Sequence, residues 1–333
     1  MNESVSERLA LLERTIDAAH PERGPVPIRV LGFGEISLVF EVPGGETEGL
    51  AFKRLPIFDS ERQVKAYAFA YRRYNELLRQ AGLKVPECDA YWFHSPVGGT
   101  LTLYCSQEKV DPASVGNRVI HQLPPAGVER LVTSILEEML KVWRFNERGR
   151  NRTPPVELGL DGQVSNWAAV RWGADAPGLP EGGGVELAYL DTSTPLYRVN
   201  GHDAFNPELF LKSAPSFLRW LLKWAFLGEV VGRYYSPRQV LTDLVANFFK
   251  EQLPLLVPRL VRLVNRFLER DDVAGLLGET EAAPLGVEEV RKYYAGDKRI
   301  WEVFQATRRL DRFLQTRLLG RPYPFYLPEK IAR

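Results

Sequence analysis

Residues 27–55 read PIRVLGFGEISLVFEVPGGETEGLAFKRL. Two runs rich in β-branched and aromatic residues, 27–34 and 37–42, predict strands. Between them stand Gly32, Gly34 and Ser37. Glycines there let backbone N–H groups come close to phosphate oxygens. Pro43-Gly44-Gly45-Glu46 is turn chemistry, and a third strand follows with Lys53, twenty-one residues after Gly32. A dinucleotide fingerprint is excluded, because it needs a helix after the glycines and this chain continues as a strand from Leu38 to Val42.

Downstream, Asp59 or Ser60 caps a helix predicted to run to about Ala81 and to close at Gly82. Its apolar stripe is Val64, Tyr67, Tyr71, Tyr74 and Leu78. YWFHS (91–95) and TLTLYCS (100–106) predict two more strands. A helix follows from Val128 to about Arg148. Three strand-like pieces come next, VELGL (156–160), NWAAVRW (166–172) and VELAYLD (185–191). A Gly/Pro-rich loop, 173–184, separates the last two. From about Pro207 the pattern is helical, interrupted by Pro237, Pro254, Pro258 and Pro284. At the N-terminus, Leu9, Leu12 and Ile16 recur at helical spacing and predict a short leader helix. The expected class is α+β.

Composition narrows the partners. The 333 residues carry 43 Lys+Arg against 42 Asp+Glu, a net charge of +1, so no global basic field points to nucleic acid. Two cysteines, Cys88 and Cys105, exclude a disulfide framework and fit a reducing compartment. The four histidines show no paired metal-ligand spacing. The most apolar stretch, Phe217 to Val231, contains Arg219, Lys223 and Glu229. A charge at mid-bilayer costs roughly 2.5 kcal/mol or more, so this stretch predicts a buried amphipathic helix. The first twenty residues lack an uncharged apolar run and are not expected to be a signal peptide. The expectation is a cytoplasmic protein with no nucleic-acid partner and no membrane insertion. Oligomeric state is left open.

Two further features complete a chemical constellation. Asp161-Gly162-Gln163-Val164-Ser165-Asn166 places a carboxylate and an amide five apart in a loop between strands. The aspartate could accept a hydroxyl proton, and the asparagine oxygen could ligate Mg²⁺. Asp191 ends the strand VELAYLD, where a carboxylate could hold Mg²⁺ against phosphates.

In this order the residues resemble the protein kinase-like superfamily, and most of all its aminoglycoside and choline kinase branch. Gly32, Gly34 and Val39 match G-x-G-x-x-G-x-V, with Ser37 at the third glycine. Ala51-Phe52-Lys53, the Asp161–Asn166 spacing and Asp191 match the remaining motifs. The resemblance implies a bilobal fold. Residues 1–24 would be a leader helix, 25–108 an antiparallel-sheet lobe with one helix, and 109–333 a mainly helical lobe whose substrate pocket begins near 205. ATP would lie in the cleft, with backbone contacts near Ser106–Val110. Gly32, Gly34 and Ser37 would cover the triphosphate, Lys53 would hold it, and Asn166 and Asp191 would ligate Mg²⁺. Asp161 would serve as base toward a small-molecule hydroxyl acceptor. Of the helix glutamates, Glu61 is better aimed at Lys53 than Glu76. Three departures stand out: Gly159 where the family carries histidine, Leu160 beside it, and Thr192-Ser193 after Asp191. The Gly159 and Thr192-Ser193 departures, with Ser37 and the unsettled partner of Lys53, keep open a catalytically inactive nucleotide-binding or scaffold protein. Transfer of AMP in place of phosphate is a third alternative.

Overall fold

The computed structural model describes residues 4–17, 20–33, 37–96, 99–172, 184–211, 231–320, 323 and 325. Gly34, nearly all of the 173–184 loop and nearly all of the Phe217–Val231 stretch lie outside them.

The fold is α+β and begins with a five-stranded antiparallel sheet. Its strands are β1 (Arg29–Phe33), β2 (Leu38–Glu41), β3 (Leu50–Phe58), β4 (Cys88–His94) and β5 (Leu101–Glu108). They pair in the order β1-β2-β3-β5-β4, so β5 inserts between β3 and β4. Strand alternation sends successive side chains to opposite faces. Leu55, Leu101, Leu103 and Cys105 face one core; Phe40, Phe52 and Tyr104 face another.

A helix seals each face. On the first lies α2 (Glu61–Ala81). Ser60 accepts a hydrogen bond from the Gln63 N–H, and Gly82, at φ +95°, ends the helix in the left-handed conformation that glycine tolerates. On the second lies α1 (Val5–Thr15), which buries Leu9 and Leu12 against Phe40, Phe52 and Tyr104. The leader helix is therefore a full layer of the fold.

A buried carboxylate fixes α1 in place. Glu13 is fully buried and accepts from Arg54 Nε and Nη2, both at 2.8 Å, from Thr102 Oγ1 at 2.9 Å and from Tyr104 Oη at 2.6 Å. Burial disfavours its charge, but the Arg54 guanidinium and the two hydroxyls outweigh that and hold its pKa below the usual carboxylate value.

Beyond the sheet come α3 (Gly116–Val119) and the long α4 (Pro125–Gly149), which starts three residues before the predicted point because Pro125 fits the first helical turn. Short strands follow: β6 (Val156–Leu158), β7 (Trp167–Ala169), β8 (Leu187–Tyr189), β9 (Tyr197–Val199) and β10 (His202–Asp203). β7 pairs with β8 as a hairpin, and β9 sits between β6 and β10. The β9–β10 pair, three and two residues long, is too short to leave an alternation signal. The described helices after them are α5 (Glu208–Leu211), α6 (Pro237–Lys250), α7 (Val257–Leu268), α8 (Asp271–Glu281) and α9 (Val287–Phe313).

Glu13→Ala should destabilise the protein by about 3–5 kcal/mol in urea unfolding, because it strands the buried Arg54 charge. The double variant Glu13→Leu/Arg54→Met should recover most of that loss. A Glu13→Ala cost below about 1 kcal/mol would show that α1 is not anchored by this pair.

Candidate functional site

Lys53 sits in mid-β3, opposite Val39 on one side and Cys105 on the other. Its side chain leaves the sheet toward the segment after β8. There Lys53 Nζ meets Asp191 Oδ1 at 2.8 Å and Ser193 Oγ at 2.8 Å. Ser193 Oγ in turn donates to Asp191 Oδ1 at 3.2 Å. Burial raises the cost of charge on Asp191, yet the Lys53 ammonium and the Ser193 hydrogen bonds prevail and hold its carboxyl below the usual range. Asp191 remains 31% exposed and so can be reached from solvent.

Asp161 and Asn166 are brought to the same place. The Asn166 carbonyl accepts the Leu190 N–H at 2.8 Å, next to Asp191. Asn166 Nδ2 donates to the Asp161 carbonyl at 3.4 Å. Asp161 Oδ1 accepts the Gln163 N–H at 3.1 Å, and its own N–H donates to Tyr189 Oη at 3.1 Å. The Asp161 carboxyl is pushed up to about 7, first by burial and then by the Asp243 and Asp191 charges; the Gln163 N–H and Arg233 oppose this. Asp243, on α6, is pushed up to about 6, chiefly by burial.

α6 is the bed of this loop. A Cβ on Gly162 would stand 2.4 Å from the Val240 carbonyl, so only glycine allows the approach. Asn247 Oδ1 accepts the Val164 N–H at 3.2 Å, and Lys250 Nζ donates to Gln163 Oε1 at 2.8 Å. Positions 240, 243, 247 and 250 share one helix face. The loop's other side explains Gly159. A Cβ there would come within 3.1 Å of the Tyr234 carbonyl and 3.2 Å of the Tyr235 ring, which fill the room a larger side chain would need.

The α2 stripe carries more than core packing. Tyr67 Oη donates to the Ser193 carbonyl at 2.9 Å, Tyr71 Oη to the Ser106 carbonyl at 2.9 Å, and Tyr74 Oη to the Gly159 carbonyl at 2.8 Å. One helix face thus ties the Asp191 segment, the end of β5 and the Asp161 loop. Burial pushes all three phenols well up, so they stay protonated donors. In the sequence these tyrosines stand out only as members of an apolar stripe. The available signal was their hydroxyls, since a buried tyrosine needs an acceptor.

Other expected residues fall elsewhere. Glu61 is not the partner of Lys53. It lies exposed in the first turn of α2, bonded to Lys65 at 2.6 Å and 4.0 Å from His94. The i,i+4 lysine is a nearer partner than a residue on another element. Gly32 lies in β1 opposite Val39, beside a register irregularity, and Ser37 is half-buried just before β2. In the 106–110 segment, the Glu108 and Lys109 N–H groups already bond Glu87 and Gly49 carbonyls at 2.8 and 2.7 Å. Those two donors are committed within the protein. Lys109 itself pairs with buried Glu41, and Arg144 with Asp272 at 2.6 Å.

The fold and site define an α+β protein in which a sheet lysine, two loop aspartates and a buried asparagine converge beneath one helix. A family model described as a family of unknown function, DUF6206, matches residues 11–312, and the chain belongs to that family. No curated protein matches it.

Two measurements test this geometry. Tyr74→Phe should cost about 1–3 kcal/mol, because the Gly159 carbonyl loses its donor; a neutral change in urea midpoint would remove the phenol from the argument. The second is pH. Asp161 and Asp243 hold their protons more tightly folded than unfolded, where a carboxyl titrates near 3.8. Their stability contribution is therefore complete below about 4 and is lost as pH rises through about 6 to 7. Relative to Asp161→Asn/Asp243→Asn, wild type should lose stability between pH 4 and pH 8. Parallel pH curves would refute the burial of these charges.

Proposed function

We propose that this protein is an ATP- and Mg²⁺-dependent phosphotransferase acting on a hydroxyl of a small molecule, with a bilobal kinase-like arrangement of its sheet and helical parts. The observation that carries the reading is the convergence of Lys53, Asp161, Asn166 and Asp191. Lys53 touches Asp191 at 2.8 Å, and Asn166 bonds the residue next to it.

The donor set suits the ion. A carboxylate and an amide oxygen are hard oxygen ligands, and Mg²⁺ takes one or two carboxylates together with phosphates and water. Among the described residues no cluster of three or more His, Cys, Asp or Glu is placed to cage a metal, which fits an ion held mostly by its nucleotide. When bound, Mg²⁺ would supply charge neutralisation on the phosphates. Asp191 and Asn166 would hold it, and the Lys53 ammonium would hold phosphate oxygens. The backbone around Gly32, Gly34 and Ser37 would cover them. Asp161, with a carboxyl titrating near neutrality, would orient the acceptor hydroxyl and take its proton. Positioning and charge would supply most of the rate.

One observation favours a second reading, nucleotide binding without catalysis. The Lys53 ammonium is held by Asp191 and Ser193, and Glu61, the glutamate expected to orient it, is paired elsewhere.

Purified protein should show a thermal shift with Mg-ATP that EDTA abolishes, and should turn over ATP with some member of a panel of hydroxylated small molecules. Asp191→Asn should abolish turnover while leaving the fold intact. Asp161→Ala should lower kcat by about 10²–10⁴-fold with little change in nucleotide affinity. A thermal shift without turnover across the panel would favour the binding-only protein. Transfer of AMP would appear as a heavier adduct by mass spectrometry. No nucleotide-dependent shift at all would overturn both readings.

A further inference from the structure

Lys53 takes no acid from α2. That helix contains two, Glu61 and Glu76. Glu61 pairs with Lys65 at 2.6 Å and Glu76 with Arg73 at 2.9 Å, both at exposed positions. The inward side of the helix carries Val64, Tyr67, Ala68 and Tyr71, all buried and none of them acidic. What α2 sends toward the lysine is the Tyr67 hydroxyl, and it stops at Ser193, the residue that Lys53 itself touches.

Ser193 is fixed from several sides. It is buried, and its carbonyl accepts from Tyr67 Oη at 2.9 Å. Thr192 before it is also buried, and the Thr192 N–H donates to the Leu190 carbonyl at 3.0 Å. From that position Ser193 Oγ accepts from Lys53 Nζ at 2.8 Å and gives its own proton to Asp191 Oδ1 at 3.2 Å. Among the described residues, Lys53 therefore has one carboxylate partner and one neutral partner. The two behave differently toward a magnesium–triphosphate. A divalent cation would compete with the ammonium for the Asp191 carboxylate. The hydroxyl orients the ammonium without neutralising it, which leaves its charge and a third N–H for a phosphate oxygen.

We propose that Ser193 is the positioning residue of Lys53: a Tyr67–Ser193 pair takes the place of a helix carboxylate and presents the ammonium to nucleotide phosphates when Asp191 is engaged by a divalent ion. This rests on the nucleotide reading of the site, whether or not phosphate is then transferred. α2 controls the lysine through one phenol and one hydroxyl, with no charged contact of its own.

A double-mutant cycle on Mg-ATP affinity, read by titration calorimetry on the full chain, tests it. Ser193→Ala should raise the Kd about tenfold, the scale of losing one hydrogen bond to a charged group. On a Lys53→Met background the same change should alter the Kd by less than about twofold, because the serine acts through the lysine. A serine that served only the fold would weaken binding equally on both backgrounds, and that result would overturn the role. The ligand-free protein supplies a second readout. In lysine-selective ammonium NMR, the Lys53 signal, assigned by its loss in Lys53→Met, should persist in Asp191→Ala and vanish in Asp191→Ala/Ser193→Ala. Its loss in Asp191→Ala alone, or an unchanged Kd in Ser193→Ala, would remove Ser193 from this role while leaving nucleotide binding in place. Failure of wild type to bind Mg-ATP would instead overturn the nucleotide reading and this proposal with it.

Discussion

Three phenolic hydroxyls on one face of α2 set the geometry on which the site rests. Each buried tyrosine needs an acceptor, and a backbone carbonyl beside each supplies one. Tyr67, Tyr71 and Tyr74 satisfy Ser193, Ser106 and Gly159 in turn. The tyrosines stand about one turn apart on the helix, so the Asp191 segment and the Asp161 loop are spaced against the end of β5 by a helical ruler. Without that ruler, Lys53 and Asp191, which are 138 residues apart in the chain, would have to find each other through loops alone.

The opposite side of the Asp161 loop is held as firmly. Gly162 admits the α6 backbone, Asn247 receives the Val164 N–H, and Lys250 donates to the Gln163 side-chain oxygen. The loop is thus clamped between α2 and α6, with Tyr234 and Tyr235 closing the end at Gly159. Such a clamp holds Asp161 beside the buried Asp243; burial raises both carboxyls, and the Asp243 charge adds to the rise at Asp161. Proteins accept such a cost mainly where the charge has work to do.

Much of this was legible in the residues. Strand alternation and turn chemistry located the sheet, and Ser60 and Gly82 bounded α2 to within a residue. Lys53, Asp161, Asn166 and Asp191 were picked out by residue type on element type, and the fold places them together. What stayed hidden was tertiary. Tyrosine in an apolar stripe gives no sign that its hydroxyl will reach a distant carbonyl. Asp243 and Asn247 sit inside an ordinary amphipathic helix, and only packing against Gly162 gives them meaning. Glu61 misled because helical phase says which side a residue faces but not which neighbour captures it first.

The two cations side by side in β3 have a consequence for assembly. Lys53 projects to Asp191 and Arg54 to Glu13, on opposite faces of the same strand. Sliding β3 by a single residue would exchange them. The lysine, a compact point charge, cannot reproduce the forked grip that a guanidinium gives a carboxylate, and the arginine would intrude where Asp191 waits. The strand therefore rejects its own misalignment chemically, and the same alternation that seats the first helix also aims the cation of the site.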